Sequence, residues 1–197
     1  MDKQFIVSIS REYGSGGHDI AERIAKHYDI PLYDKNILEE IGKEKGVDMS
    51  GFSSADEKMI NVFTSRTVNG FNNSPEFALA NMQFEFIKEK AGEGESFVIC
   101  GRCADYVLKE NPALISVFVL ADDIVKTNRI KDIEDCTIPQ AIKLLEKADK
   151  RRREYHNQYC KTKWGEARNY DLCVNSTRLG IDGTAEFLID YIEKRNA

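Results

Sequence analysis

Near its N-terminus the chain runs FIVSISREYGSGGHDIAERIA, Phe5 to Ala25. An apolar stretch, a glycine-rich turn and a helical pattern follow in that order, which is the layout of a loop that holds phosphate. Gly14, Gly16 and Gly17 let the backbone bend so that successive N–H groups point inward. The start of the helix adds a partial positive charge, and the two together make an anion nest that needs no side chain. The common pattern G-x-x-x-x-G-K-[ST] is nevertheless not met. With Gly16 as the last glycine of the pattern, the lysine place holds Gly17, the Ser/Thr place holds His18 and the first-glycine place holds Arg11. The loop therefore lacks the cation that reaches the β and γ phosphates, and Arg11 is placed to return part of that charge. Ser15 is the nearest hydroxyl for magnesium. His18 reads as a donor at the helix start, since no second histidine is near it in sequence. A plain strand-to-helix turn capped by Asp19 is the alternative.

Further along, residues 97–100 and 114–120 repeat the short, β-branched character of 5–9, and 31–33 and 172–174 are weaker strand candidates. Between them, apolar residues recur at helical spacing: Ile20, Ile24 and Tyr28; Phe77, Ala80, Phe84, Ile87 and Ala91; Ile138, Ile142, Leu145 and Ala148; Ala185, Leu188, Ile189 and Ile192. Thr137 and Gln140 form a capping-box start for the third of these. Strands alternating with helices imply a parallel sheet covered on both faces, with ligands at the C-terminal strand ends. Segment 47–95 breaks the alternation with the turn-rich stretches SGFSSADEK and VNGFNNSPEF. It reads as an inserted helical lobe, with core helices on the same sheet as the alternative.

Net charge is -5 over 197 residues, so the surface as a whole gives no reason to invoke nucleic acid or an anionic membrane. Any basic site must be local. No apolar run nears the length of a membrane span and no secretory leader pattern opens the chain, so a cytoplasmic protein is expected. Five scattered cysteines argue against a disulfide framework. Within this acidic chain the cations cluster. In FVICGRCADYV, Arg102 follows a strand end beside the expected phosphate position, where an arginine can grip phosphate bidentately; a surface ion pair is the alternative. Cys100 and Cys103 make a C-x-x-C, but without a second ligand pair or a thioredoxin-like context, and Cys100 is expected in the core. ADDIVKTNRIK offers Lys126, Arg129 and Lys131, of which Arg129 is the functional candidate and a solvated charged face the alternative. ADKRRREYHNQYCKTKW carries Lys150, Arg151, Arg152 and Arg153 among aromatic residues. A nucleic-acid segment would look similar. An arginine lid over nucleotide phosphates fits better, because phosphoryl transfer needs distributed positive charge.

Taken together, ISREYGSGGHDIAERIA, PLYDKNIL, VICGRCADYVL, DKRRREYHNQYCKTKWG and NYDLCVNSTRLGID resemble the cytidylate kinase-like branch of the P-loop nucleoside monophosphate kinases. The resemblance spans Ile6 to about Ile192, and in that branch a lysine-free loop is the usual form. It implies an α/β P-loop NTPase three-layer sandwich: a parallel five-stranded sheet, helices on both faces and an inserted helical lobe. The whole of 1–197 would be one kinase domain, with 47–95 as the monophosphate-binding lobe and 149–168 as the lid. It further implies ATP and magnesium as cofactors and a nucleoside monophosphate, CMP or dCMP, as acceptor. Nucleic acid and membrane are not expected as partners, and the chain is expected as a monomer or weak homodimer. On this likeness Arg11, Gly14, Ser15, Gly16, Gly17, His18 and Asp19 would hold the nucleotide. Arg102, Arg129, Arg152, Arg153 and Asp34 would serve the reaction, Asp34 positioning magnesium through water, and no residue is assigned as a direct metal ligand. The residue after Arg102 is Cys103, where ordinary bacterial cytidylate kinases carry aspartate. A small-molecule kinase on the same frame and a binding module without turnover are the rival functions.

Overall fold

The computed structural model describes residues 3–34, 36–46, 67–68, 71–72 and 75–197. Its centre is strand β1 (Ile6–Arg11), with β2 (Leu32–Tyr33), β5 (Phe97–Cys100), β6 (Leu114–Leu120) and β7 (Leu172–Asn175) in the same sheet. The order is β2-β5-β1-β6-β7, and every pairing is parallel. A parallel sheet needs crossover connections, and these carry the helices α1 (Gly17–Tyr28), α2 (Ile37–Lys45), α3 (Pro75–Gly92), α4 (Ala104–Val107), α5 (Asp123–Ile133) and α6 (Ile138–Tyr159), while α7 (Ser176–Asn196) follows the last strand. A small antiparallel pair, β3 (Thr67–Val68) with β4 (Phe71–Asn72), stands apart.

Side chains alternate across a strand, and here the alternation sorts the layers. Val7 and Ile9 join Val98, Ile115, Val117 and Val119 against α1 and α7, through Ile20, Ile24, Ala185, Leu188 and Ile192. Ile6, Phe97, Ile99 and Leu114 face the other way, onto α2, α3 and α4, through Ile37, Ile41, Leu79, Phe86 and Leu108. Ile20 and Ile24 are fully buried, and each such burial contributes roughly 2 kcal/mol. They seat α1 on the sheet and thereby fix where its first turn lies.

Two of the helical stripes differ from expectation. Along α6, Ala141 and Leu145 are buried, while Ile138 and Ile142 are 50% and 43% exposed. The helix packs chiefly on α5 rather than on the sheet, so only a narrow face is covered. In α3 the deepest residues are Phe86 and Ile87, with Leu79 beside them, whereas Phe84 faces a separate cluster around Cys103 and Tyr155, and Phe77 stacks on Tyr159. The helix is apolar on two sides because it touches two layers. Of the segment read as an inserted lobe, 47–66, 69–70 and 73–74 lie outside the described residues, and Pro75–Gly92 is a helix of the sheet's own covering layer.

The register creates the space for a site. β5 pairs with β1 only as far as Ile9↔Cys100, whereas β6 follows β1 to Arg11↔Val119. The end of β1 is thus open on the β5 side, and the turn after β5 fills it, with the Gly101 amide donating to the Ile9 carbonyl at 3.1 Å.

Candidate active site

β1 ends at Arg11, and the loop to α1 turns through Gly14 (φ 75°) and Gly16 (φ 79°). Both lie in the left-handed region, where a side chain is strained. Gly16 caps α1 and has no side chain to take the first amides. Those helix N-terminal donors remain available to an anion. The cradle is filled from below: a Cβ on Gly16 would sit 2.8 Å from Ile181 Cγ1.

Gly17 is glycine for a different reason. A Cβ there would sit 2.6 Å from the Cβ of Arg11 and 3.0 Å from its Cγ. Bulk at position 17 and bulk at position 11 exclude each other. Relative to G-x-x-x-x-G-K the loop has exchanged its small and its cationic ends, with arginine at the first place and glycine at the lysine place. Gly101 makes room for the same arginine, since a Cβ there would meet Arg11 Nη1 at 2.5 Å.

The loop is held from outside by residues 114 to 161 positions distant in sequence. Ser176 Oγ donates to the Ser15 carbonyl at 2.6 Å, Arg129 Nη1 to the Gly14 carbonyl at 2.6 Å, and Lys126 Nζ to Glu12 at 2.8 Å. The Tyr13 amide donates to Asp149 Oδ1 at 2.7 Å. Burial raises the pKa of that Asp149 carboxyl, partly offset by the Tyr13 amide and by Arg152. Sequence reasoning missed Glu12, Lys126, Asp149 and Ser176 in this role. Glu12 alone lies in the motif; the others reach it only through the fold.

A cavity of about 500 Å3 lies over the loop. Arg11, Gly14, Gly16, Gly17, His18, Asp19, Asp34, Arg102, Arg129 and Arg152 all line it. Four arginines thus converge from β1, the turn after β5, α5 and α6. Arg152 Nη1 donates to the Arg11 carbonyl at 3.1 Å, and its guanidinium lies 5.4 Å from the centre of the Tyr13 ring. Arg102 is 5% exposed and, like Cys103 after it, has a left-handed backbone (φ 56° and 55°). That conformation costs a non-glycine residue about 1–2 kcal/mol. Such strain gathers where a side chain must be aimed.

Two expected residues are placed elsewhere. Ser15 is fully buried, and its Oγ donates to the Glu12 carbonyl at 2.8 Å, so the hydroxyl serves the loop's own turn and is turned away from the cavity. Arg153 lies 5.6 Å from the Trp164 ring and lines a second cavity, between α5 and α6. Successive helical residues point about 100° apart, so Arg152 and Arg153 cannot both face the loop.

Asp34 ends β2. Its Oδ1 accepts from the Asn36 amide at 2.9 Å, and its Oδ2 lies 3.6 Å from His18 Nδ1. Among the described residues no three His, Cys, Asp or Glu side chains gather in a metal-holding cluster. One carboxylate beside a phosphate cradle nevertheless suits magnesium, which keeps several waters and takes phosphate oxygens. No described helix is long and apolar enough to cross a membrane.

The five-stranded parallel sheet with this loop is the P-loop NTPase architecture, and solved structures share it. The chain is 14% identical to shikimate kinase from Bacteroides thetaiotaomicron, with a TM-score of 0.54 over 96% of this chain and 98% of that one. It is 38% identical to an uncharacterized protein from Eubacterium ventriosum, with a TM-score of 0.77 over 96% and 99%. A cytidylate kinase from Pyrococcus horikoshii is 25% identical over 195 residues, covering 96% of this chain and 91% of the relative. The model of the cytidylate kinase-like family matches residues 6–178. By that match, which takes in the loop, all four cavity arginines and every strand of the sheet, the chain belongs to the cytidylate kinase-like family.

Proposed function

We propose that this protein is an ATP-dependent nucleotide kinase that transfers the γ-phosphoryl group of ATP to a nucleoside monophosphate, CMP or dCMP. The observation that carries the reading is the convergence of Arg11, Arg102, Arg129 and Arg152 on the open N-terminus of α1 in one cavity. Phosphoryl transfer asks a protein for positioning and for positive charge at the moving group, and this cavity supplies both. The loop amides and the first turn of α1 hold the donor phosphates. Arg11 takes the position from which a loop lysine is excluded, and Arg152, anchored on the Arg11 carbonyl, adds the second cation. Arg102 grips the acceptor phosphate, and Arg129 holds the loop in shape through Gly14. Magnesium bound with the nucleotide would supply further charge neutralisation, with Asp34 holding its waters.

Turnover measured over a panel of nucleoside monophosphates, together with shikimate, tests the proposal. CMP or dCMP turning over above all others is the expected result. Turnover of a non-nucleotide acceptor alone would replace the acceptor. Tight ATP binding with no turnover on any acceptor would make the chain a nucleotide-binding module and overturn the enzyme reading.

A further inference from the structure

Behind the cavity arginines lies a buried polar pair. His156 Nε2 is 3.0 Å from Asp105 Oδ2, and both side chains are buried. An ionised carboxylate can only accept, so the imidazole donates through Nε2. Among the described residues, Asp105 Oδ1 and His156 Nδ1 have no hydrogen-bond partner, so this one contact carries the polar attachment of both side chains. Burial of such a pair is weak evidence for stability, because apolar residues of similar volume can often replace it without loss. What distinguishes this pair is the two elements that it joins.

Asp105 lies in the first turn of α4, three positions after Arg102. His156 lies on α6, four positions after Arg152, and residues at that spacing share a helix face. The pair thus joins the turn that brings Arg102 to the phosphate cavity to the helix that brings Arg152 there. His156 also lines a small cavity of about 30 Å3 together with Arg11, Arg102 and Arg152, which places it directly behind the three arginines. The C-x-x-C of the sequence forms no pair here: Cys100 is a core residue of β5, while Cys103 packs with Tyr155 and Cys160 beside the same join. The supports of α6 divide along its length. Its first half packs against Ile130 of α5 through Ala141 and Leu145, and its last turns meet the Arg102 turn through Tyr155 and His156. Arg152 lies between the two supports. On the other side of the join, the left-handed backbone of Arg102 and Cys103 persists only if nearby contacts hold it. Asp105, two residues further on, supplies such a contact.

We propose that Asp105 and His156 are a positioning pair for the phosphate-binding arginines, whose hydrogen bond sets how Arg102 and Arg152 are aligned across the cavity. The inference rests on the reading of that cavity as a phosphate site. The pair itself touches no phosphate. Apolar packing has no direction, whereas a hydrogen bond fixes both distance and angle, so the pair can hold two elements in a register that the cluster around Tyr155 alone would leave loose. Phosphoryl transfer is sensitive to such register, since a misplacement of about 1 Å can cost about 10²-fold in rate.

The test replaces both partners at once, Asp105→Leu with His156→Phe, and reads the melting temperature and the dissociation constant of inorganic tripolyphosphate, the latter by calorimetry. The double variant is expected to melt within about 4 °C of the wild type, as exchange of a buried pair for apolar residues allows. It is expected to bind tripolyphosphate about tenfold more weakly, the effect of one charge-assisted hydrogen bond lost from the phosphates. A stable double variant with wild-type affinity would show that the pair only fills space and would overturn the proposal. If the double variant does not fold, Asp105→Asn decides. It keeps the shape of the side chain and leaves a weaker, neutral hydrogen bond, so affinity should fall by about threefold; an unchanged affinity overturns the proposal equally. Tripolyphosphate binding needs no acceptor. Absence of turnover on every acceptor would therefore strike the kinase reading alone, and wild-type affinity in these variants would strike the positioning pair alone.

Discussion

The cavity over the glycine loop encloses about 500 Å3, and the one between α5 and α6 about 760 Å3. Helix α6 forms a wall of both, yet they differ in kind. In the smaller one four arginines outnumber the carboxylates Glu12, Asp19 and Asp34, and a helix N-terminus opens into it. In the larger one carboxylates outnumber the cations, Lys126 is satisfied by Glu12 and Asp123, and Ile124, Ile138 and Ile142 line the wall. Size does not mark the site. Convergent charge beside open backbone donors does, because those are the groups a phosphate can use. One turn of α6 serves both cavities, with Arg152 facing the smaller and Arg153 the larger.

The sharpest break in this comparison would come at Arg11. Arg11→Met keeps the bulk against Gly17 and removes the charge. Turnover should fall roughly 10²–10³-fold, the range for a lost transition-state donor. Unchanged steady-state rates would show that Arg11 only fills space. Next in size is Gly17→Lys, whose Cβ meets Arg11 at 2.6 Å. Alone it should lower the melting temperature and cut turnover by roughly 10²-fold, whereas Arg11→Gly with Gly17→Lys should recover both in part. A double-mutant cycle that is strictly additive would count against mutual exclusion.

Arg152→Ala should reduce turnover by at least about tenfold, as loss of one cation from the moving group would. Arg153→Ala should stay within about threefold of the wild type and cost no more than about 1 kcal/mol of stability, the worth of an exposed contact with Trp164. Equal losses in the two variants would erase the distinction between the faces of α6. The smallest effect is expected in the larger cavity. Ile142→Asn should leave the turnover rate and nucleotide affinity unchanged, as a titration of ATP binding would check.

Much of the fold was legible in the sequence because its signals are local. The five strands sit close to where short β-branched runs placed them, and Thr137 and Gln140 begin α6, with the Thr137 amide donating to Gln140 Oε1 at 2.8 Å. The loop was legible for the same reason. What could not be read was direction around a helix axis. DKRRR announces four cations in a row, but only the packing of α6 on α5 decides that Arg152 turns to the loop and Arg153 to Trp164. Long-range holds were equally silent: nothing near Asp149 or Ser176 in sequence says that they grip Tyr13 and Ser15. Apolar spacing misled in α6, where Ile142 belongs to a cavity wall and not to the core.

The contact between positions 11 and 17 bears on how such loops arise and how they are found. Two sites that compete for one volume behave as a single inherited trait. A lineage moving from the lysine form to this one avoids that clash only if it loses bulk at position 17 no later than it gains bulk at position 11. A search keyed on the lysine passes over this loop. One keyed on a large residue at the strand's end, paired with glycine six places on, would recognise it.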